Sequence, residues 1–134
     1  MADISSLRKK VHELNKRRTD AISRVLHTKS YIAAQVYPRY RKCGKPNCKC
    51  AKGDLHGPFL WIYQRKKGQK VVSTTVAEGK GAEAKEKAKR YEELLRLRQQ
   101  IRESDQKLNE LLNEYENELE EEVTEYVKRK ETKA

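Results

Sequence analysis

The sequence predicts a mainly α protein with a small β insert: two long helices forming an antiparallel coiled coil around a small Cys/His β-hairpin head. Three observations carry that expectation. Heptad-spaced apolar residues occupy both ends of the chain, a period-two stretch separates them, and all three cysteines lie with a histidine in one short segment.

The N-terminal amphipathic helix is expected within 1–30. Ile4, Leu7, Val11, Leu14, Ala21 and Val25 share one heptad frame, with Arg18 as the single polar interruption before Thr28. Asp3 or Ser5 is the expected N-cap. Residues 31–78 then change period. In Pro58–Arg65 an aromatic set, Phe59, Trp61 and Tyr63, alternates with Leu60 and Ile62, and Lys70–Val76 is rich in β-branched residues. Lys66-Lys-Gly-Gln69 suits the turn between two strands, and Tyr31–Lys42 supplies either a third strand or an extension of the first helix. Phe59 and Trp61 are expected to form the small core, with base stacking as the alternative.

The C-terminal coiled-coil helix is expected over 80–131, because no proline or glycine interrupts the chain from Ala82 to Lys130. Tyr91, Leu94, Ile101, Leu108, Leu112, Tyr115, Leu119 and Tyr126 fit a heptad frame broken by Arg98, Asp105 and Glu122. This arm is about twice the length of the first at 1.5 Å per residue. Pairing the two within one chain would leave Leu108, Leu112, Tyr115 and Leu119 uncovered, a seam for a homodimer or a helical protein partner.

Composition limits the function classes. With 36% hydrophobic and 38% charged residues in 134, little material is available for a large globular core. No apolar run is long enough to span a bilayer, and Met1–Lys10 has no apolar signal-peptide core, so a cytoplasmic protein without membrane partners is expected. The net charge of +11 is unevenly spread. Residues 36–75 hold 10 basic and 1 acidic side chain, whereas 103–127 hold 10 acidic and 1 basic.

The cysteine segment reads Cys43-x4-Cys48-x-Cys50-x5-His56 and is followed by Gly57-Pro58. Three sulfurs and an imidazole are the donor types and the number that a tetrahedral zinc ion takes. The Cys-x-Cys pair is tighter than usual and demands a bent backbone at Lys49. Cys43, Cys48, Cys50 and His56 are therefore the candidate ligands of one structural zinc. A metal-free turn and redox-active thiolates among lysines are the other readings.

No catalytic residues are expected. A Cys/His nucleophile pair normally comes from distant parts of a sequence and needs an orienting partner. His12 and His27 fall in the first helical pattern, and the acidic end reads as a solvated helix face. Nucleic-acid binding is better supported, with DNA favoured over RNA. Arg39, Arg41, Lys42, Lys45, Lys49, Lys52, Arg65, Lys66, Lys67 and Lys70 surround the loop and hairpin, interleaved with Tyr37, Tyr40, Trp61 and Tyr63.

The run from Arg41 to Phe59 resembles an uncharacterised prokaryotic family of small proteins. That family is marked by Cys-Gly-Lys-Pro-x-Cys-x-Cys and His-Gly-Pro elements, and its members are often encoded near mobile elements. The hairpin followed by Ala82-Glu-Ala84 and a helix is also similar to the three-stranded arm-binding domains of tyrosine recombinases, which insert a sheet into DNA. These resemblances imply a DNA-linked role and imply no activity; a helical protein such as a recombinase or nuclease is the expected partner. The expected function is that of an accessory protein whose basic head contacts phosphates and whose coiled coil dimerises or recruits a partner. The alternative is a coiled-coil interaction adaptor or a ribosome-associated factor.

Overall fold

The computed structural model describes residues 3–64 and 71–128. In chain order they form α1 (Ile4–Leu26), β1 (Gln35–Arg41), a 3-10 turn (Lys49–Lys52), β2 (His56–Gln64), β3 (Val72–Thr75) and α2 (Gly81–Leu119), with a last 3-10 turn at Val123–Glu125. The head is a three-stranded antiparallel sheet in the order β1-β2-β3, not a two-stranded hairpin. Among the described residues, no helix is long and apolar enough to cross a membrane.

Two compact units divide the chain, Met1–Ser23 with Gln99–Ala134, and Arg24–Arg98. In the first, α1 begins where expected. Asp3 caps it, its Oδ1 accepting from the Ser5 N–H at 3.4 Å and its carbonyl from the Leu7 N–H at 2.9 Å. The inward stripe also follows the heptad frame: Leu7 and Ala21 are buried, and Ile4, Val11, Leu14 and Val25 are half-buried. The interruption at Arg18 is accommodated by reach, its guanidinium contacting Asp105 of α2 at 3.4 Å and Asn15 at 3.2 Å. Its Nε is nevertheless buried without a hydrogen-bond partner.

On α2 the heptad frame needs correction by one column. Leu94, Ile101, Leu108 and Tyr115 are half-buried as that frame requires, but the companion column is Leu97, Ser104, Leu111 and Glu118. Leu97 and Leu111 are 3% and 5% exposed, against 43% for Leu112 and 52% for Leu119. The reason is charge. The expected column would have turned Arg98 and Asp105 inward, and burying charged groups costs far more than exposing two leucines. The expected seam is thereby split. Leu108 and Tyr115 lie on the covered stripe, and Arg8 donates to the Tyr115 hydroxyl at 3.3 Å with its guanidinium 5.8 Å from the ring centre. Leu112 and Leu119 stay exposed.

The long helix also ends at Leu119 rather than continuing through 131. Glutamates are good helix formers, so propensity does not explain the stop. Glu116, Glu118, Glu120, Glu121 and Glu122 crowd the negative end of the helix dipole, and no basic residue occupies the last turn to offset them.

In the second unit the sheet is fastened to the first turns of α2. Leu60 of β2 lies so close to Gly81 that a methyl group there would approach its Cδ1 to 2.8 Å, and the Leu60 carbonyl accepts from the Val76 N–H at 2.9 Å. Tyr31 stacks on Tyr91 with ring centres 5.5 Å apart, and Arg24 pairs with Glu93 at 2.7 Å. Tyr31–Lys42 thus resolves into a connection followed by a strand, with Ala34 buried at the start.

Replacing Arg18 by methionine removes the unsatisfied guanidinium nitrogen and completes the apolar stripe. Arg18→Met is expected to stabilise the protein by about 1 kcal/mol, measured as a raised melting temperature. A lowered one would show that the Asp105 pair outweighs the desolvation.

Candidate metal centre and its basic surroundings

The sequence between β1 and β2 forces a compact loop, with Gly44, Pro46, Gly53 and Gly57 supplying its bends. The tight Cys-x-Cys spacing is solved by a turn of 3-10 helix over Lys49–Lys52. Cys48 is its N-cap and Gly53 its C-cap, the latter in the left-handed region at φ 114°. The Ala51 N–H donates to the Cys48 carbonyl at 3.1 Å, and the Gly53 N–H to that of Cys50 at 3.3 Å. This curl is the bend at Lys49 that chelation by both sulfurs requires.

The four donor atoms of Cys43, Cys48, Cys50 and His56 all lie within 4.8 Å of one another. Cys43 Sγ is 3.4 Å from Cys50 Sγ, and Cys48 Sγ is 2.9 Å from His56 Nε2. A tetrahedral ion with bonds of about 2.3 Å to sulfur and 2.0 Å to nitrogen has ligand-to-ligand edges of about 3.5–3.8 Å. The cluster therefore matches the size of a four-coordinate site. All three cysteines are free thiols, and 3.4 Å is far outside the length of a disulfide bond.

The thiols are not equivalent. Cys50 is 1% exposed, Cys48 is half-buried and Cys43 is exposed. The backbone N–H of Cys43 donates to Cys50 Sγ at 3.3 Å and, with the side-chain contacts to Cys43 and Cys48, draws the Cys50 thiol below its ordinary range against the opposing effect of burial. For Cys43 the backbone hydrogen bond from Lys45 acts downward. The contact with Cys50, burial and the proximity of Cys48 together outweigh it and push this thiol up. One sulfur is thus prepared to be a thiolate, and Cys43 beside it resists sharing that negative charge.

His56 reaches the cluster because β2 carries an irregularity. Arg39 pairs with Phe59 and Arg41 with His56, so Gly57 and Pro58 together oppose the single residue Tyr40. This accommodates a proline in the central strand of the sheet, where it would otherwise interrupt the ladder. It also shifts the alternation by one, bringing His56 opposite Arg41. Gly57 is indispensable here. Its φ is 140°, and a β-carbon would fall 2.8 Å from both the Arg39 carbonyl oxygen and the Tyr40 ring.

Register also decides the basic surroundings. Tyr37 and Arg39 on β1 share a face with Phe59, Trp61 and Tyr63 on β2 and with Ser73 and Thr75 on β3. Arg39 lies over the Trp61 ring, its guanidinium carbon 4.3 Å from the ring centre, and Arg41 over Phe59 at 4.9 Å. This corrects the expectation that Phe59 and Trp61 are core: Phe59 is 37% exposed and Trp61 only half-buried. Lys42, Lys45, Lys49 and Lys52 are exposed along the loop. An open cleft of about 390 Å³ between loop and sheet is lined by Arg41, Lys42, Cys43, His56 and Phe59. Arg65, Lys66, Lys67 and Lys70 lie outside the described residues.

Sequence reasoning missed Lys85 and Lys89. Both line a second open cleft with Gln35, Val36, Tyr37 and Glu92, placing two cations and one carboxylate beside the first strand. Their four-residue spacing on the opening turns of α2 was the available signal.

Residues 8–86 match the family model of a domain of unknown function, DUF6788. The chain belongs to the DUF6788 family. The DUF6788 stretch takes in most of α1, the cysteine loop, all three strands and the first turns of α2. None of the curated proteins and none of the solved structures matches the chain. For this DUF6788 chain, Gly57→Ala is expected to cost about 1–3 kcal/mol through strain at a forbidden φ and a backbone clash. Gly44→Ala, where nothing lies within 4 Å of the added methyl, should cost less. Urea denaturation of the two variants tests this ordering.

Proposed function

We propose that this chain is a nucleic-acid-binding accessory protein, DNA favoured over RNA, whose head is organised by one structural zinc ion. The observation that carries the reading is the pair of arginines held over the rings of Trp61 and Phe59 beside a loop of exposed lysines. Asp54 is the single acidic residue in the whole of 36–75, so the segment's own sequence offsets little of the positive field it presents to a phosphate backbone.

Zinc suits the donor set, since three thiolates and one imidazole favour it over hard oxygen-seeking cations. Its role is structural: Cys43, Cys48, Cys50 and His56 close the loop, and the residues they position make the contacts. In this reading α1 and the C-terminal half of α2 form an antiparallel coiled coil. The exposed Leu112 and Leu119 then offer apolar surface to a second copy or to a helical partner such as a recombinase or nuclease.

Metal analysis of native protein is expected to find one zinc per chain. Cys48→Ser should lower that occupancy and unfold the head before the helices, seen as loss of near-ultraviolet signal with helical ellipticity retained. Full helical unfolding in step with the head, or no metal at all, would contradict the structural role.

Binding to DNA should weaken steeply with salt, the logarithm of affinity falling linearly with that of salt concentration. Each of Lys45→Ala, Lys49→Ala and Lys52→Ala should shallow that slope by about one when the residue touches a phosphate. Affinity too weak to measure at low salt would refute the reading.

A further inference from the structure

We infer that the aromatic face of the sheet is a platform for single-stranded nucleic acid, on which unpaired bases stack against Trp61, Phe59 and the guanidinium planes of Arg39 and Arg41. The inference rests on the proposed nucleic-acid role of the head and specifies the form of the ligand.

Register makes the arrangement a ladder. Arg39 is opposite Phe59 but lies over Trp61; Arg41 is opposite His56 but lies over Phe59. Each arginine therefore leans diagonally across the strand pair, and the order along the face becomes Trp61, Arg39, Phe59, Arg41. Two like charges two residues apart on one strand repel, and stacking on aromatic rings is what holds them in place. No carboxylate pairs with either arginine among the described residues, so the guanidiniums are restrained without being neutralised. An arginine in that state offers a planar surface to a base and N–H groups to a phosphate together.

Spacing favours an unpaired strand. Successive same-face residues on a strand are about 6.7 Å apart, roughly twice the 3.4 Å rise of bases within a duplex strand. A polymer that meets a platform at each step must be extended, and a duplex hides the base faces that stacking needs. The ladder runs out at the cleft lined by Arg41, Lys42 and His56, where a phosphate would find two cations. The Tyr37 hydroxyl, 3.5 Å from Ser73 Oγ, marks the polar side of the same face toward β3.

Trp61 is the only tryptophan in the chain, so its emission reports on this face alone. The full-length zinc-loaded protein is titrated with oligo(dT) and oligo(U) of about 15 nucleotides, within the span of a small single-strand-binding fold, and with a DNA duplex of the same length at the same salt. Single strands of at least one sugar type are expected to quench Trp61 emission and to bind about tenfold tighter than the duplex. Arg39→Lys and Arg41→Lys keep the charge and remove the plane. They should lose most of that preference while circular dichroism and the salt slope stay as in the parent. Duplex binding as tight as single-strand binding, unchanged Trp61 emission, or lysine variants that behave like the parent would overturn the platform and leave the nucleic-acid reading standing. Binding to none of the three probes would overturn both.

Discussion

Convergence of four donor atoms within 4.8 Å is the constraint on which the head depends. A three-stranded sheet of this size cannot bury enough apolar surface to hold a fourteen-residue loop, and the exposures show it. In residues 36–64 a single side chain, Cys50, is fully buried, while Leu55 and Phe59 are exposed and Trp61 is only half-covered. Under the proposed structural zinc, coordination substitutes for a core: it would fix β1 relative to β2, orient the 3-10 turn, and let aromatic residues be used at the surface. The arginine–aromatic stacks are affordable for that reason, because stability does not require those rings inside.

The helices solve a different problem with different chemistry. Both arms carry more charge than apolar surface, and their pairing is chosen by which column can turn inward without taking an unpaired ion with it. On α1 the answer tolerates Arg18, whose length lets it reach Asp105. On α2 it does not tolerate Arg98 and Asp105, and the stripe moves to Leu97 and Leu111. Electrostatics therefore selects the packing face, and dispersion and burial act only within that selection.

Much of this was legible in the sequence, and the failures have physical causes. Regular heptads on α1 predict its buried face because every apolar position agrees. The convergence of Cys43, Cys48, Cys50 and His56 is legible because donor type and spacing are local properties. The column slip on α2 was foreshadowed by the charged residues that broke the assumed frame, and Ser104 concealed the better one. The stop at Leu119 is invisible to propensity, which rates glutamate highly, and follows only from the summed charge at a helix end. Trp61 and Phe59 were misjudged because alternation separates two faces without saying which is covered. That needs register, and register needs the irregularity at Gly57 and Pro58.

The same irregularity has a kinetic meaning. Cys43 follows two residues after the end of β1 and His56 opens β2, so the proposed ion, held by both, would set the two strand ends side by side. The chain-closure entropy of the intervening loop is then met by coordination rather than by strand pairing. Pairing of β1 with β2 becomes a local event, of the kind that low contact order makes fast. For a head organised by the proposed zinc, metal availability during synthesis would govern how long the unpaired edge of β2 is exposed to other chains.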